Sequence, residues 1–224
     1  MDESRKAMIA EAIGTFALVF VGAGSICLNE YTGHGVGLIG IALAHGLILS
    51  VAVSATGAIS GGHLNPAVTF GFLLTGRMSR NQAGQYLLAQ LAGATIGGFF
   101  LRWIFAEHVW RAAALGTPDL AQDVTTGTGI FIEAVLTFLL VFSVWGTAVD
   151  ERAPRIGGFG IGLTVAADIL IGGPLTGAAM NPARAFGPAL ASAHWSSHLV
   201  YWIGPLLGAG AAAFLYHNFL MKKS

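Results

Sequence analysis

Apolar residues run along this chain in long stretches, without the spacing of a surface helix or the alternation of a half-buried strand. Six stretches, at about 7–28, 36–57, 82–106, 128–149, 156–173 and 198–220, approach or exceed the roughly 20 residues a bilayer core requires. Their periodicity is weak because a membrane helix is apolar nearly all round. Clusters of glycine, charge and turn residues at 29–35, 76–81 and 150–155 separate them. The longest connection, 107–127, contains Pro118, is too polar to span and is expected to form an ordered external loop. The pattern predicts an all-α membrane protein.

Two shorter apolar segments do not fit the six-span pattern. Gly61-Gly62-His63-Leu64-Asn65-Pro66-Ala67 introduces the first, and Gly177-Ala178-Ala179-Met180-Asn181-Pro182-Ala183-Arg184 the second. Asparagine is a strong helix N-cap, and proline suits the first helical position, where its missing N–H leaves nothing unsatisfied. Asn65 and Asn181 should therefore each start a helix. The segments that follow, 66–76 and 182–191, are only about half a bilayer long. They read as two re-entrant half-helices whose capped ends meet inside the membrane. Each N-terminus carries about half a positive charge. With the amide donors of Asn65 and Asn181, that makes a centre able to orient water oxygens, repel cations and interrupt a proton wire. The stretches before the caps, 60–64 and 176–180, are expected to run extended, with carbonyls lining a pore.

The two phrases belong to a longer repeat. Glu11-Ala12 and Thr15-Phe16 recur as Glu133-Ala134 and Thr137-Phe138. Ser60-Gly61 recurs as Thr176-Gly177. Each half has three spans plus a half-helix, so the second must enter from the opposite side. That is an inverted repeat, with its functional site near the midplane. The halves are 7–106 and 128–220, joined by 107–127 within a single channel domain, 1–224. Orientation follows from the basic residues. Arg5, Lys6, Arg77, Arg80, Arg152, Arg155, Lys222 and Lys223 fall on one side of the six-span scheme, and only Arg102 and Arg111 on the other. Both termini are thus expected in the cytoplasm.

Composition narrows the class. Of 224 residues, 54% are hydrophobic and 10% charged, against about 25% charged for a soluble domain. Mean hydropathy is +0.70. Net charge is zero, so nothing points to nucleic acid. A lone cysteine, Cys27, cannot form an intrachain disulfide or a metal site by itself and reads as small apolar filler. The first 28 residues combine charge and an apolar run as a signal peptide does. The run is long, contains Glu11 and completes the repeat, so it reads as the first span.

Two Asn-Pro-Ala phrases half a chain apart, the second continuing to Arg184, resemble the major intrinsic protein family, the aquaporins. The resemblance covers about 11–216. It implies an aquaporin-like right-handed bundle of six transmembrane helices plus two half-helices, and a homotetramer with one pore per subunit. The function implied is passive passage of water, with no enzymatic activity, cofactor or metal. In that family the position of Arg184 carries the arginine of an outer constriction. The other constriction positions fall on His45, Ile169 and Ala178. This set resembles the plant tonoplast intrinsic proteins, which pass water and often ammonia or other small neutral solutes. Those ammonia channels carry a loop histidine beside the arginine. His108 lies too early for that place, and 116–119 has no histidine, which puts ammonia in doubt. Glycerol facilitators carry aspartate after the motif arginine, where this chain has Ala185, and the Tyr201-Trp202 pair is typical of water channels. The short amino tail resembles prokaryotic members and suggests a prokaryotic inner membrane.

By the same resemblance, Glu11 and Glu133 hold the loops before the half-helices through backbone N–H bonds, and His63 belongs to that scaffold or lines the pore. Asp168, beside Ile169, should either face the outer vestibule or pair with an arginine or backbone amide. His34, His108, His194, His198 and His217 show no ligand spacing. His194 and His198 have no acidic residue beside them and are expected at the outer interface with Trp195 and Trp202. Inverted repeats also occur in secondary transporters, which would need a coupling-ion site, with Asp168 the only candidate. A structural membrane protein with a closed pore is the other alternative.

Overall fold

The computed structural model describes residues 2–154 and 156–222. Arg155 and Lys223, both counted in the orientation argument, lie outside the described residues. The chain is all-helical over those residues, with nine helices in order: α1 Glu3–Tyr31, α2 Gly37–Ser60, α3 Pro66–Leu74, α4 Arg80–Ile104, α5 Glu107–Ala112, α6 Thr126–Val149, α7 Phe159–Thr176, α8 Pro182–Ser192 and α9 Val200–Leu220. Six of them, α1, α2, α4, α6, α7 and α9, are long and apolar enough to cross a membrane. Helices satisfy their own backbone, so their outward faces can carry unbroken apolar surface such as Ile39, Leu47, Phe131, Ile171 and Phe214.

The half-helices start where local chemistry dictates. Asn65 is extended, and its side chain accepts from the N–H of Ala67. Asn181 does the same for Ala183 and Arg184. Pro66 and Pro182 occupy the first helical turn. α3 and α8 have nine and eleven residues, too few to cross a bilayer.

Packing repeats between the halves. α1 lies on α4 as α6 lies on α9, and α2 packs against its counterpart α7. The half-helices are exchanged: α8 packs on α4, and α3 on α9. Small residues permit the close crossings. A Cβ placed on Gly46 would lie 2.6 Å from the Gly162 carbonyl oxygen, and one on Gly162 would lie 2.1 Å from that of Gly46. Likewise Gly93 faces the Ala12 carbonyl and Gly208 that of Ala134.

The loops before the half-helices differ from the extended course expected of them. Gly61, Gly62 and Leu64 have φ of 87°, 65° and 51°, and Gly177, Ala178 and Met180 have 79°, 45° and 52°. These left-handed residues turn consecutive N–H groups back toward a buried carboxylate. α1 also widens to π-type turns at Leu18–Ala23, where it passes the interior cavity.

Candidate functional site

A cavity of about 560 Å³ runs through the bundle between the half-helices and the inner faces of α1, α2, α6 and α7. Toward the end that carries both termini it is bordered by Ser54, Gly57, Arg77 and Thr147. Asn65 and Asn181 lie in its wall midway, among Leu18, Val68, Leu140 and Val144. His45, Ile169, Ala178 and Arg184 border it toward the other end.

Each loop beside the cavity is held by a carboxylate. Glu11, fully buried, accepts from the N–H groups of His63 (2.9 Å) and Leu64 (2.6 Å), from Ser60 Oγ (2.6 Å) and from Gln90 Nε2 (2.7 Å). Glu133, also fully buried, accepts from the N–H groups of Ala179 (2.9 Å) and Met180 (2.7 Å) and from Thr176 Oγ1 (2.7 Å). Hydrogen bonds to an ionised acceptor are worth about 1.5–3 kcal/mol each, so three or four can offset much of the desolvation of a carboxylate. Tyr86 donates to the Ser60 carbonyl at 2.7 Å and Tyr201 to that of Thr176 at 2.9 Å, which fixes the helix ends above the loops.

The asparagines cross-link the two loops. Asn65 Nδ2 donates to the Met180 carbonyl at 2.9 Å, and Asn181 Nδ2 to the Leu64 carbonyl at 2.8 Å. A side-chain amide has two N–H bonds. One of each is used across the gap, and the other is left beside the cavity that the residue lines.

Arg184 is 2% exposed. Its Nη1 donates to the Gly116 carbonyl at 2.7 Å, and its Nη2 lies 3.1 Å from His45 Nε2. The histidine tautomer follows from its other contact. His45 Nδ1 is 2.9 Å from the Ile41 carbonyl, which can only accept, so Nδ1 carries the proton and Nε2 accepts from arginine. Gly22 makes room for the ring, since a Cβ there would lie 2.5 Å from His45 Cδ2. Arg184 Nε is buried with no hydrogen-bond partner among the described residues. Ile169 and Ala178 supply the facing apolar wall, 3% and 2% exposed.

His63 both borders the cavity and belongs to a polar web. Gln90 Nε2 donates to Thr69 Oγ1 at 3.0 Å, and Thr69 lies 3.1 Å from His63 Nδ1. The ring also packs on Phe72, with centroids 4.2 Å apart.

Three expectations change. Asp168 neither borders the cavity nor pairs: it is 3% exposed, and no described residue hydrogen-bonds it. His194 does have an acidic companion, supplied by the distant loop: its Nε2 lies 2.8 Å from Asp119 Oδ2. The loop's hold on Arg184 comes from the Gly116 backbone carbonyl, which no side-chain motif could signal. Partial burial pushes the Asp119 carboxyl up. Hydrogen bonds from His194, the Leu120 N–H and Ser196 outweigh that and hold it below the usual carboxylate range. Cys27 is buried in an apolar cluster, and no group of His, Cys, Asp and Glu suited to a metal occurs among the described residues.

Residues 2–216 match the family model described as Major intrinsic protein. The chain is 44% identical over 228 residues to Aquaporin TIP4-4 of Zea mays, covering 97% of this chain and 88% of that one. It is 45% identical over 225 residues to Aquaporin TIP4-1 of Arabidopsis thaliana, covering 97% and 87%. Its fold is similar to the X-ray structure of the aquaglyceroporin from Plasmodium falciparum, with a TM-score of 0.85 at 23% identity and 97% of each chain covered.

Proposed function

The chain belongs to the major intrinsic protein family, and on that premise we propose that it is a passive transmembrane water channel that excludes protons and ions. It is an integral, multi-pass membrane protein and not an enzyme. The observation that carries the proposal is one cavity bordered by both Asn65 and Asn181 at its middle and by the His45–Arg184 pair toward one end.

The mechanism follows from donors and walls. A water midway accepts from the free amide N–H of Asn65 and of Asn181. Its oxygen is then occupied, and its own hydrogens point away along the pore in both directions. Waters on the two sides are oriented oppositely, so a proton cannot hop through without reversing one row. The half-helix N-termini, each worth about half a positive charge, oppose a cation at the same place. Leu18, Val68, Leu140, Val144 and Val165 offer no competing hydrogen bonds, which keeps the file of water mobile. At the constriction Arg184 repels cations and replaces hydrogen bonds that entering water gives up, while Ile169 and Ala178 leave one wall apolar.

The same proposal takes 1–224 as one channel domain, with halves 7–106 and 128–220 and 107–127 as an external connection. The bias of arginine and lysine supports cytoplasmic termini. A homotetramer is part of the reading, supported by the family resemblance. A prokaryotic inner membrane is also part of the reading, although the sequence relatives named above are plant proteins; fractionation of native membranes checks it.

The test is stopped-flow osmotic shrinkage of proteoliposomes. Water permeability at least about tenfold above protein-free vesicles is expected, with proton leak unchanged. Permeability no greater than that of empty vesicles overturns the channel in favour of a closed, structural protein. Ammonia uptake measured in the same vesicles, for wild type and Ile169→His, decides whether the apolar wall also admits that solute.

A further inference from the structure

The acceptor that holds Arg184 sits on a tight left-handed turn, closed by the Gly116 N–H on the Ala113 carbonyl (2.7 Å) and by Thr117 Oγ1 on the Ala114 carbonyl (2.6 Å). Ala114, Leu115 and Gly116 have φ of 44°, 53° and 70°. Two of these three left-handed residues are not glycine, and such conformations persist only where the surroundings over-determine them. Gly116 is pressed onto α1, where an added Cβ would lie 2.7 Å from the Ala23 carbonyl oxygen. On the other side the next residues are tied down one after another. Thr117 Oγ1 lies 3.2 Å from Ser192 Oγ, Pro118 covers Gly177, and the Ala121 N–H donates to the Leu175 carbonyl at 2.9 Å.

Asp119 is the one charged side chain of 112–122, and it makes the tightest of these ties. Its Oδ2 is 2.8 Å from His194 Nε2, and its Oδ1 accepts from Ser196 Oγ at 2.9 Å and from the Leu120 N–H at 2.8 Å. His194 and Ser196 follow directly on α8, the half-helix whose first turn carries Arg184. The contacts close a ring: Arg184, along α8 to His194 and Ser196, across to Asp119, back along the chain to Gly116, and onto Arg184 again. The element that presents the arginine and the turn that presents its acceptor are thus fastened together outside the pore.

We propose that Asp119, clasped by His194 and Ser196, is a positioning residue that keeps the Gly116 carbonyl on Arg184 and so sets the aperture, and with it the solute selectivity, of the constriction. The inference rests on the channel reading above. Its substrate-level consequence concerns neutral solutes slightly larger than water, such as urea, which need the guanidinium to move aside. Asp119 and His194 side chains are each 38% exposed. The clasp is therefore a modest restraint on a strained turn, and its loss should show in selectivity more than in folding.

The test compares wild type with Asp119→Ala, His194→Ala, Ser196→Ala and His194→Gln in proteoliposomes, reading urea and water permeability in each. Asp119→Ala and His194→Ala should raise the urea-to-water ratio about fivefold, the rate equivalent of about 1 kcal/mol. Ser196→Ala should raise it less. His194→Gln, whose amide can still donate to Asp119, should stay within about twofold of wild type. A ratio unchanged in Asp119→Ala overturns the proposal while leaving the channel intact, and so does a rise in His194→Gln equal to that in His194→Ala. If Asp119→Ala does not fold, His194→Ala against His194→Gln decides by the same criterion. If wild type itself passes no water, the channel reading has failed. Amide exchange of 113–121 then decides the clasp: faster exchange in His194→Ala than in His194→Gln supports it, and equal exchange overturns it.

Discussion

The two halves of this molecule share a scaffold and differ in chemistry. Residues 116 apart occupy matching places: Asn65 and Asn181, Gly46 and Gly162, Gly61 and Gly177. Glu11 and Glu133 hold their loops through the same pattern of two N–H groups and a hydroxyl. Yet the partners of His45, Ile169, Ala178 and Arg184 in the other half are Ile161, Val53, Gly62 and Val68. All eight border the cavity. The end of the cavity away from the termini therefore presents an arginine and a histidine where the end nearer the termini presents valine and isoleucine. The reverse holds around the loops: Gln90, Thr69 and His63 form a polar web in the first half, and their counterparts are Pro205 (matched through Tyr86 and Tyr201, 115 apart), Ala185 and Ala179. The scaffold repeats because each re-entrant loop exposes the same unsatisfied backbone at membrane depth, and only a buried acceptor resolves that. Under the proposed function the constriction need not repeat, because one cationic narrowing in series suffices to reject ions.

The largest expected effect comes from breaking what is shared. Glu11→Ala or Glu133→Ala leaves two N–H groups and a hydroxyl buried without an acceptor, a loss of about 3–5 kcal/mol or more. Thermal unfolding in detergent should fall by about 10 °C or more for each, and a much smaller drop for one would show that its half has another support. Next is the crossing at the pseudo-two-fold. A Cβ on Gly162 would lie 2.0 Å from Ser50 Oγ, and Gly162→Ala should lower stability by about 1–3 kcal/mol, more than Gly46→Ala. The same melts read both.

The differences are sharpened by moving one half's residue into the other. Arg184→Val installs the residue found at Val68 and should raise urea permeability about tenfold, the equivalent of about 1.4 kcal/mol. Gly22→Val installs the residue found at Val144 and drives the added side chain into His45. Displacing that ring toward the lumen should cut water permeability about threefold, or about 0.65 kcal/mol, and an unchanged rate would mean the ring has room to move elsewhere.

The smallest effect is on pH. The Asp119 carboxyl is held below its usual range. The stability it lends is present above the ordinary value of about 3.9 and lost as pH falls through the lower folded value. The urea-to-water ratio should therefore not rise as external pH goes from 7 to 5, and should rise only below about pH 4.

Much of this was legible along the chain because it depends on neighbours in sequence. Six spans follow from runs of apolar residues, and the starts of α3 and α8 follow from Asn-Pro, since capping and proline's missing N–H act within one turn. The second half's register against the first follows from repeated phrases. Long-range contacts were legible only where a repeat or a family resemblance pointed to them. Nothing in the spacing of His194 pointed to Asp119, 75 residues away, or signalled a backbone carbonyl at Gly116 as the acceptor for Arg184. The left-handed course of 61–64 and 177–180 could not be read from local preference either, because Leu64, Ala178 and Met180 adopt it against their own propensity. Asp168 sits beside Ile169 in sequence but turns away from the cavity on the helix. The sequence by itself determined where helices begin, how long they are and which groups are costly to bury, since those energies are local. Only the tertiary structure decided which of those groups meet, because that depends on how closely packed helices bring together side chains and carbonyls that no local energy connects.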